Sequence, residues 1–303
     1  ILCFALYGGF LGNPFLIDDP PAIVSNPRVT GGQWGALLTE PYWQAESTDR
    51  LYRPLVSLSF GLNWAISQSP WTFRLPNLLL HMASCVLVLI LARDVFRNRV
   101  AGVIAAVLFA IHPVHTEPCL EIVGRADLAA FAAMLGAAIL WWRDAETGLA
   151  GLRRPLAASL LFAAAVFCKE SALTLVGVVL VLDIYRERSR AEGAAPLDRA
   201  KRLARCYAPM LVVAVVYLGL RYAVLDQLTS SERILRVLNP INTPADALGE
   251  GDSAVLVRFG TPLATWGKAC TLLFAPWPLS HDYSYDAIAE VRRVGDPRLW
   301  IGA

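Results

Sequence analysis

Charge is scarce in this sequence. Only 17% of its 303 residues are charged while 56% are hydrophobic, and the mean hydropathy is +0.48. A soluble domain carries about a quarter charged residues, so the shortage excludes one and leaves a polytopic membrane protein. The formal net charge of +2 says little, because placement of Lys and Arg matters more than their sum in such a chain. No nucleic-acid partner is expected. Paired cysteine spacing is also missing. Cys3, Cys85, Cys119, Cys168, Cys206 and Cys270 lie scattered, mostly inside apolar runs, which suggests neither a disulfide framework nor a metal knuckle. There is no start methionine at Ile1, no basic leader and no small-residue cleavage site. The expectation is a trimmed N-terminus rather than a signal peptide.

What is present is a series of apolar runs separated by charged loops. Ile1 to Ile17 reads as the outer part of a first membrane helix, broken by the carboxylate pair Asp18-Asp19. Residues 18–70 then form a first outer loop. Within it, Gln33 to Trp43 reads as an interfacial element and Leu51 to Ile66 as a half-helix or interfacial helix, short of the roughly 20 residues a span requires. Trp71 to Ala92 is long enough to cross. Val100–Ile111, Leu128–Trp142, Pro155–Cys168, Ala172–Tyr185 and Ala208–Leu225 follow as further helices, which predicts an all-α module of about 7–8 membrane helices. Phe259 to Leu279 is ambiguous, with Lys268 near its middle and Pro262, Pro276 and Pro278 interrupting it.

Alternate loops are basic: Arg93, Arg97 and Arg99; then Arg143, Arg153 and Arg154; then Arg186 to Arg205. Placed in the cytoplasm by the positive-inside rule, they put the other loops together on the extracytoplasmic face. A second large outer loop is expected at residues 226–258. The outer set gathers Asp18 and Asp19, His112, His115 and Glu117 in HPVHTEP, Arg125 and Asp127 in GRAD, and Lys169 with Glu170 in CKES. Ionisable groups at membrane depth are costly unless paired or facing a watery cavity, so the cluster marks a candidate site. A carboxylate there could take a proton from an attacking hydroxyl, and Arg125, Lys169 and Arg53 could neutralise a leaving phosphate. Two plainer readings stay open. Asp-Asp-Pro-Pro is also good turn chemistry, and Arg125 could pair with Asp127 or Glu121, and Lys169 with Glu170. His112, His115 and Glu117 could hold a divalent metal, although Pro113 breaks the helix that would present them on one face. His81, inside a span, reads as a buried hydrogen-bond partner.

The ordered segments DDPPAIVSNPRV, LYRPLVSLSFGLNW, PNLLLHMAS, HPVHTEP, VGRADLAA and CKESALTLVGVVLVLD resemble the transmembrane and tetratricopeptide-repeat-containing O-mannosyltransferases and their prokaryotic relatives. The resemblance covers nearly the whole chain and implies a GT-C type glycosyltransferase of inverting mechanism. Such an enzyme moves mannose or a similar hexose from a polyprenyl or dolichyl phosphate to a protein or glycan acceptor, with a protein Ser/Thr hydroxyl as the first expectation, on the extracytoplasmic face. It also implies that an acid of the first outer loop is the catalytic base, which falls on Asp19 or Asp18, with Asn26 and Tyr52 among the residues lining the site. The expected location is the inner or plasma membrane in a prokaryote and the endoplasmic reticulum in a eukaryote. No cofactor is certain beyond the metal option. The repeats that usually follow are missing, so the expectation is one membrane domain over residues 1–303, truncated at both ends. A transporter or flippase for a lipid-linked sugar is the rival, but it should show two similar halves, and no internal repeat is found.

Overall fold

A computed structural model of the chain describes residues 2–43, 51–147, 153–188, 196–226, 256–277, 279 and 290–302. Among these, all regular structure is helical. The apolar runs satisfy their backbone groups internally, as a segment in hydrocarbon must. In chain order the helices are α1 Leu2–Tyr7, α2 Pro27–Thr30, α3 Trp34–Thr39, α4 Pro54–Ile66, α5 Pro70–Phe96, α6 Arg99–Ile111, α7 Thr116–Leu120, α8 Arg125–Thr147, α9 Arg153–Cys168, α10 Leu175–Arg188 and α11 Pro196–Leu225. Prolines start several of them: Pro27, Pro54 and Pro70 each occupy a first-turn position, where the missing N–H costs nothing.

Two compact units divide the chain. The first comprises Ile1–Ala45, Arg50–Ile111 and Pro118–Leu228; the second comprises Glu46–Asp49, His112–Glu117 and Thr229–Ala303. In the first unit α5 packs on α6 and α8, and α8 packs on α9. The α5/α6 contact is backbone-close, since a Cβ on Gly102 would lie 2.7 Å from the Leu89 carbonyl oxygen. One buried cluster runs from Ile23, Val56 and Phe60 through Phe73 and Ile122 to Phe162, Val166 and Tyr217. The outward faces are apolar too: Val100, Val103, Ile104, Val107, Leu108 and Ile111 of α6 are all exposed. That pattern suits a lipid surround, in which outward apolar side chains are no liability.

By length and apolarity three stretches can cross a membrane: Pro70–Phe96, Ile122–Arg143 and Ala204–Leu225. A fourth is counted if Arg99–Ile111 and Pro113–Leu120 form one broken span. The count of seven or eight spans is not reached on this criterion. The reason is length: α9 and α10 have 16 and 14 residues, and at about 1.5 Å per residue they fall short of a hydrocarbon core of about 30 Å.

In the second unit, the ambiguous stretch resolves into a 14-residue helix, Thr261–Phe274, which ends before Pro276. A further helix follows at Pro297–Gly302. The Val291 amide donates to the Thr261 hydroxyl at 3.0 Å. The second large loop lies outside the described residues from 227 to 255, as do His281 and Asp282.

Candidate active site

The first unit assembles its polar residues around the N-terminal parts of α4, α5 and α8. The carboxylate pair is split in character. Asp18 is exposed, whereas Asp19 is wholly buried. Asp19 Oδ2 accepts the Leu16 amide at 2.9 Å and Oδ1 accepts the Val123 amide at 3.0 Å, with Arg74 Nη2 3.7 Å away. Burial pushes this carboxyl above the ordinary carboxylate range, and the two amides and the Arg74 charge offset that only in part. Asp19 therefore fastens the first loop to the turn leading into α8, and Asp18 is the carboxylate that reaches solvent.

Arg74, only 1% exposed, holds the same loop from α5. Its guanidinium donates to the carbonyls of Asn13, Pro14 (2.5 Å) and Leu120 (2.8 Å). Arg125 opens α8 and is 3% exposed. It donates to Asn77 Oδ1 at 3.1 Å, Ser59 Oγ at 2.9 Å and the Phe73 carbonyl at 2.7 Å, and its guanidinium lies 4.8 Å from the centre of the Phe60 ring. Among the described residues no carboxylate comes within ion-pair distance of Arg125, so neither Asp127 nor Glu121 pairs with it. Its neighbours are neutral acceptors and aromatic faces. A buried cation without an anion is an expensive arrangement unless a ligand completes it.

Arg125 also borders a cavity of about 580 Å³, walled by Leu55, Leu62, Ile66, Leu79 and Ala83, with Ser59 and Asn63 as its uncharged polar lining. The other proposed cations are already engaged. Arg53 grips Glu170 through two nitrogens at 2.9 and 3.2 Å, and Lys169 Nζ meets Asp127 at 2.5 Å. The lysine thus reaches across to α8 instead of pairing with its sequence neighbour. Glu170 sits below the ordinary range for a glutamate: burial acts upward on it, and the Arg53 hydrogen bonds and charge outweigh that.

Asn26 caps α2, accepting the Arg28 amide at 3.1 Å and donating to the Ala22 carbonyl at 3.2 Å. Tyr52 donates to the Leu38 carbonyl at 3.0 Å and stacks on Tyr217. Both shape the first loop. His112, His115 and Glu117 fall in the second unit. There the His112 Nδ1 accepts the Val114 amide at 3.2 Å, its Nε2 contacts the Leu273 carbonyl at 3.2 Å, and the two imidazoles stand edge to face. Both ring nitrogens of His112 are therefore occupied by protein. Among the described residues this run is not gathered into a three-ligand metal set.

The chain is similar to several protein O-mannosyl-transferases. Protein O-mannosyl-transferase Tmtc2 of Drosophila melanogaster is 32% identical over 98% of this chain, which spans 31% of that protein. Protein O-mannosyl-transferase TMTC1 of Mus musculus is 38% identical over 59% of this chain and 21% of its own length. The chain belongs to the TMTC family. Human TMTC3 extends the match at 27% identity over 97% of the chain. The chain spans about a third of the length of the TMTC relatives that match it end to end. No family model and no solved structure matches it.

Within this TMTC chain the structure adds four residues that sequence reasoning passed over: Arg74, Asn77, Ser59 and Tyr42. Arg74 had a signal, an arginine in the second turn of an otherwise apolar span, where a charge is retained only for a reason. Tyr42 had none. Its hydroxyl is buried and, among the described residues, has no hydrogen-bond partner. It lies in the electrostatic reach of Arg53, Asp19, Arg125 and Asp18 at once. That shared neighbour places four of the sequence-predicted residues in one neighbourhood.

Proposed function

We propose that this chain is the membrane portion of a glycosyltransferase that moves mannose or a similar hexose from a polyprenyl phosphate to a protein Ser/Thr hydroxyl. The observation that carries the reading is Arg125, a buried guanidinium without a carboxylate, set at the edge of a large apolar cavity. A lipid-linked sugar phosphate has the complementary form, an anion at the end of a hydrocarbon chain. Two parallel N–H bonds from a guanidinium fit phosphate oxygens, and little water is present to screen the charge. In the single displacement that inverts the sugar, the acceptor oxygen bonds to the anomeric carbon as the bond to the phosphate oxygen breaks. The phosphate leaves with the electron pair, and the hydroxyl proton passes to Asp18, which Asp19 positions from behind. Tyr42, with its hydroxyl unspent, is placed to hydrogen-bond the substrate. The basic loops lie in the cytoplasm in this reading, and the site opens on the other side.

Titrating a short-chain polyprenyl-phosphate mannose against the purified chain tests the donor site. Arg125→Lys keeps the charge and loses the paired geometry, so binding should weaken about ten- to hundredfold, the worth of one charge-assisted hydrogen bond of roughly 1.5–3 kcal/mol. Wild-type affinity in both Arg125→Lys and Lys169→Gln would move the phosphate site elsewhere.

A further inference from the structure

Away from this site, two helices of the first unit meet through matched pairs. On α1, Cys3 and Tyr7 are four residues apart, and on α5, His81 and Cys85 are four residues apart, so each pair shares a helix face. The pairs meet antiparallel: Cys3 Sγ lies 3.6 Å from Cys85 Sγ, and the Tyr7 ring stands edge-on to His81 with centroids 5.2 Å apart. The second thiol also reaches the imidazole, with Cys85 Sγ 3.9 Å from His81 Nε2. One donor atom each from Cys3, His81 and Cys85 therefore falls within 4.8 Å of the other two. Phe109 stacks on the same ring with centroids 5.6 Å apart, and the Ala110 backbone lies in hydrogen-bonding reach of it.

We propose that Cys3, His81 and Cys85 form a binding site for a soft d¹⁰ divalent cation of the zinc class, one that joins α1 to α5. Distances support this choice. A tetrahedral ion with bonds of about 2.3 Å to sulfur and 2.0–2.1 Å to nitrogen holds two sulfurs roughly 3.8 Å apart and a sulfur and nitrogen roughly 3.6 Å apart. The two measured edges, 3.6 and 3.9 Å, are each within a few tenths of an ångström of those values. Only the third edge must close, and α1 is short enough to shift.

Charge supports it as well. Cys3 and His81 are buried and their surroundings are apolar: Leu78, Ala110, Cys119 and Leu128 with Leu11, Leu80 and Met82. Two thiols that each release one proton to bulk water, a neutral imidazole and a divalent cation sum to zero net charge. A neutral complex is the cheapest ionic arrangement in such a medium, whereas a monovalent soft ion would leave one negative charge behind. Thiolate and imidazole donors select for this class over calcium or magnesium, which take oxygen. The ordinary alternative, two thiols acting as small apolar side chains, explains burial but not three donors converging with the ring held in register.

The test uses the full chain, purified in detergent with reductant and stripped with chelator, then titrated with Co²⁺ as an optical probe and with Zn²⁺ as competitor. One Co²⁺ per chain should bind with sulfur-to-cobalt charge-transfer absorption, and Zn²⁺ should displace it. Cys3→Ser and Cys85→Ser should abolish the absorption in variants whose helical circular dichroism is unchanged. His81→Gln should weaken binding at least about 10–100-fold, whereas His112→Ala with His115→Ala should leave it as in wild type. The proposal is overturned if reduced wild type shows no sulfur-to-cobalt band, if binding follows His112 and His115 instead, or if native protein carries a Cys3–Cys85 disulfide.

Discussion

Helices α5 and α8 each carry an arginine near either end, and the two ends are built by different rules. Arg74 and Arg93 lie about 29 Å apart along α5, and Arg125 and Arg143 about 27 Å apart along α8, close to the thickness of a hydrocarbon core. At the first end Arg74 and Arg125 are 1% and 3% exposed and bind backbone carbonyls and neutral side chains, with the buried Asp19 carboxylate 3.7 Å from Arg74. At the second, Arg93 and Arg143 are 39% and 42% exposed and share one carboxylate, Asp94, at 2.7 and 2.8 Å. Arg154 adds a bond to the Arg143 carbonyl at 2.9 Å, and Arg186 donates to the Trp142 carbonyl while lying over the Trp142 ring. Three of the basic loops thus collect at one end of the bundle. Exposed ion pairs there contribute little to stability, whereas buried cations at the opposite end are costly unless structure or a ligand makes use of them.

The sharpest break of this contrast is at the carboxylates beside Arg74. Asp18→Asn should lower sugar transfer by about two to four orders of magnitude without altering the fold. Asp19→Asn should lower the unfolding temperature as well, because an amide offers one acceptor where two backbone N–H groups need one each. Transfer assays beside thermal unfolding in detergent decide it: an inactive, stable Asp19→Asn together with an active Asp18→Asn would exchange the two roles.

Next in size is the pair of clamps. Removing Arg74 as Arg74→Met leaves Asp19 buried without its cation and should cost about 3–5 kcal/mol.

That contrast also measures what could be read in advance. The helices were legible because apolar runs and proline starts are local features, and α5, predicted as Trp71 to Ala92, forms over Pro70–Phe96. The residues proposed for the site were nominated by compact motifs that hold Asp18, Asp19, Arg125, Lys169 and Glu170. Their partners were not. Asp19, the buried one of two adjacent acids, meets the Val123 amide 104 residues away, and Lys169 passes over Glu170 to reach Asp127, 42 residues away. Cys3 and Cys85, 82 residues apart, carry no spacing signal, since only the crossing of α1 on α5 brings them together.

A smaller effect should appear at Glu170, whose pairing with Arg53 holds its carboxyl below the ordinary glutamate range. The folded value lies below the unfolded one, so the stabilisation is present above about pH 4.3 and is lost as pH falls through the folded value. Glu170→Gln should therefore lower the unfolding temperature at pH 7, with the deficit against wild type shrinking toward zero in acid. A deficit independent of pH would mean that the pair acts through packing and not charge. Smallest of all, Arg93→Met at the exposed end should cost no more than about 1 kcal/mol. Equal losses from Arg74→Met and Arg93→Met in thermal unfolding would erase the distinction between the two ends.

Gly124 sits where two of these lines cross. A Cβ there would lie 2.4 Å from the Pro118 Cα and 2.5 Å from its carbonyl oxygen, so no side chain fits without moving main chain. The residue before it supplies the amide that holds Asp19, and the residue after it is Arg125. In the vocabulary of mutational tolerance this position has an alphabet of one letter: a single added methyl group would disturb the carboxylate anchor and the buried cation together, without touching either side chain.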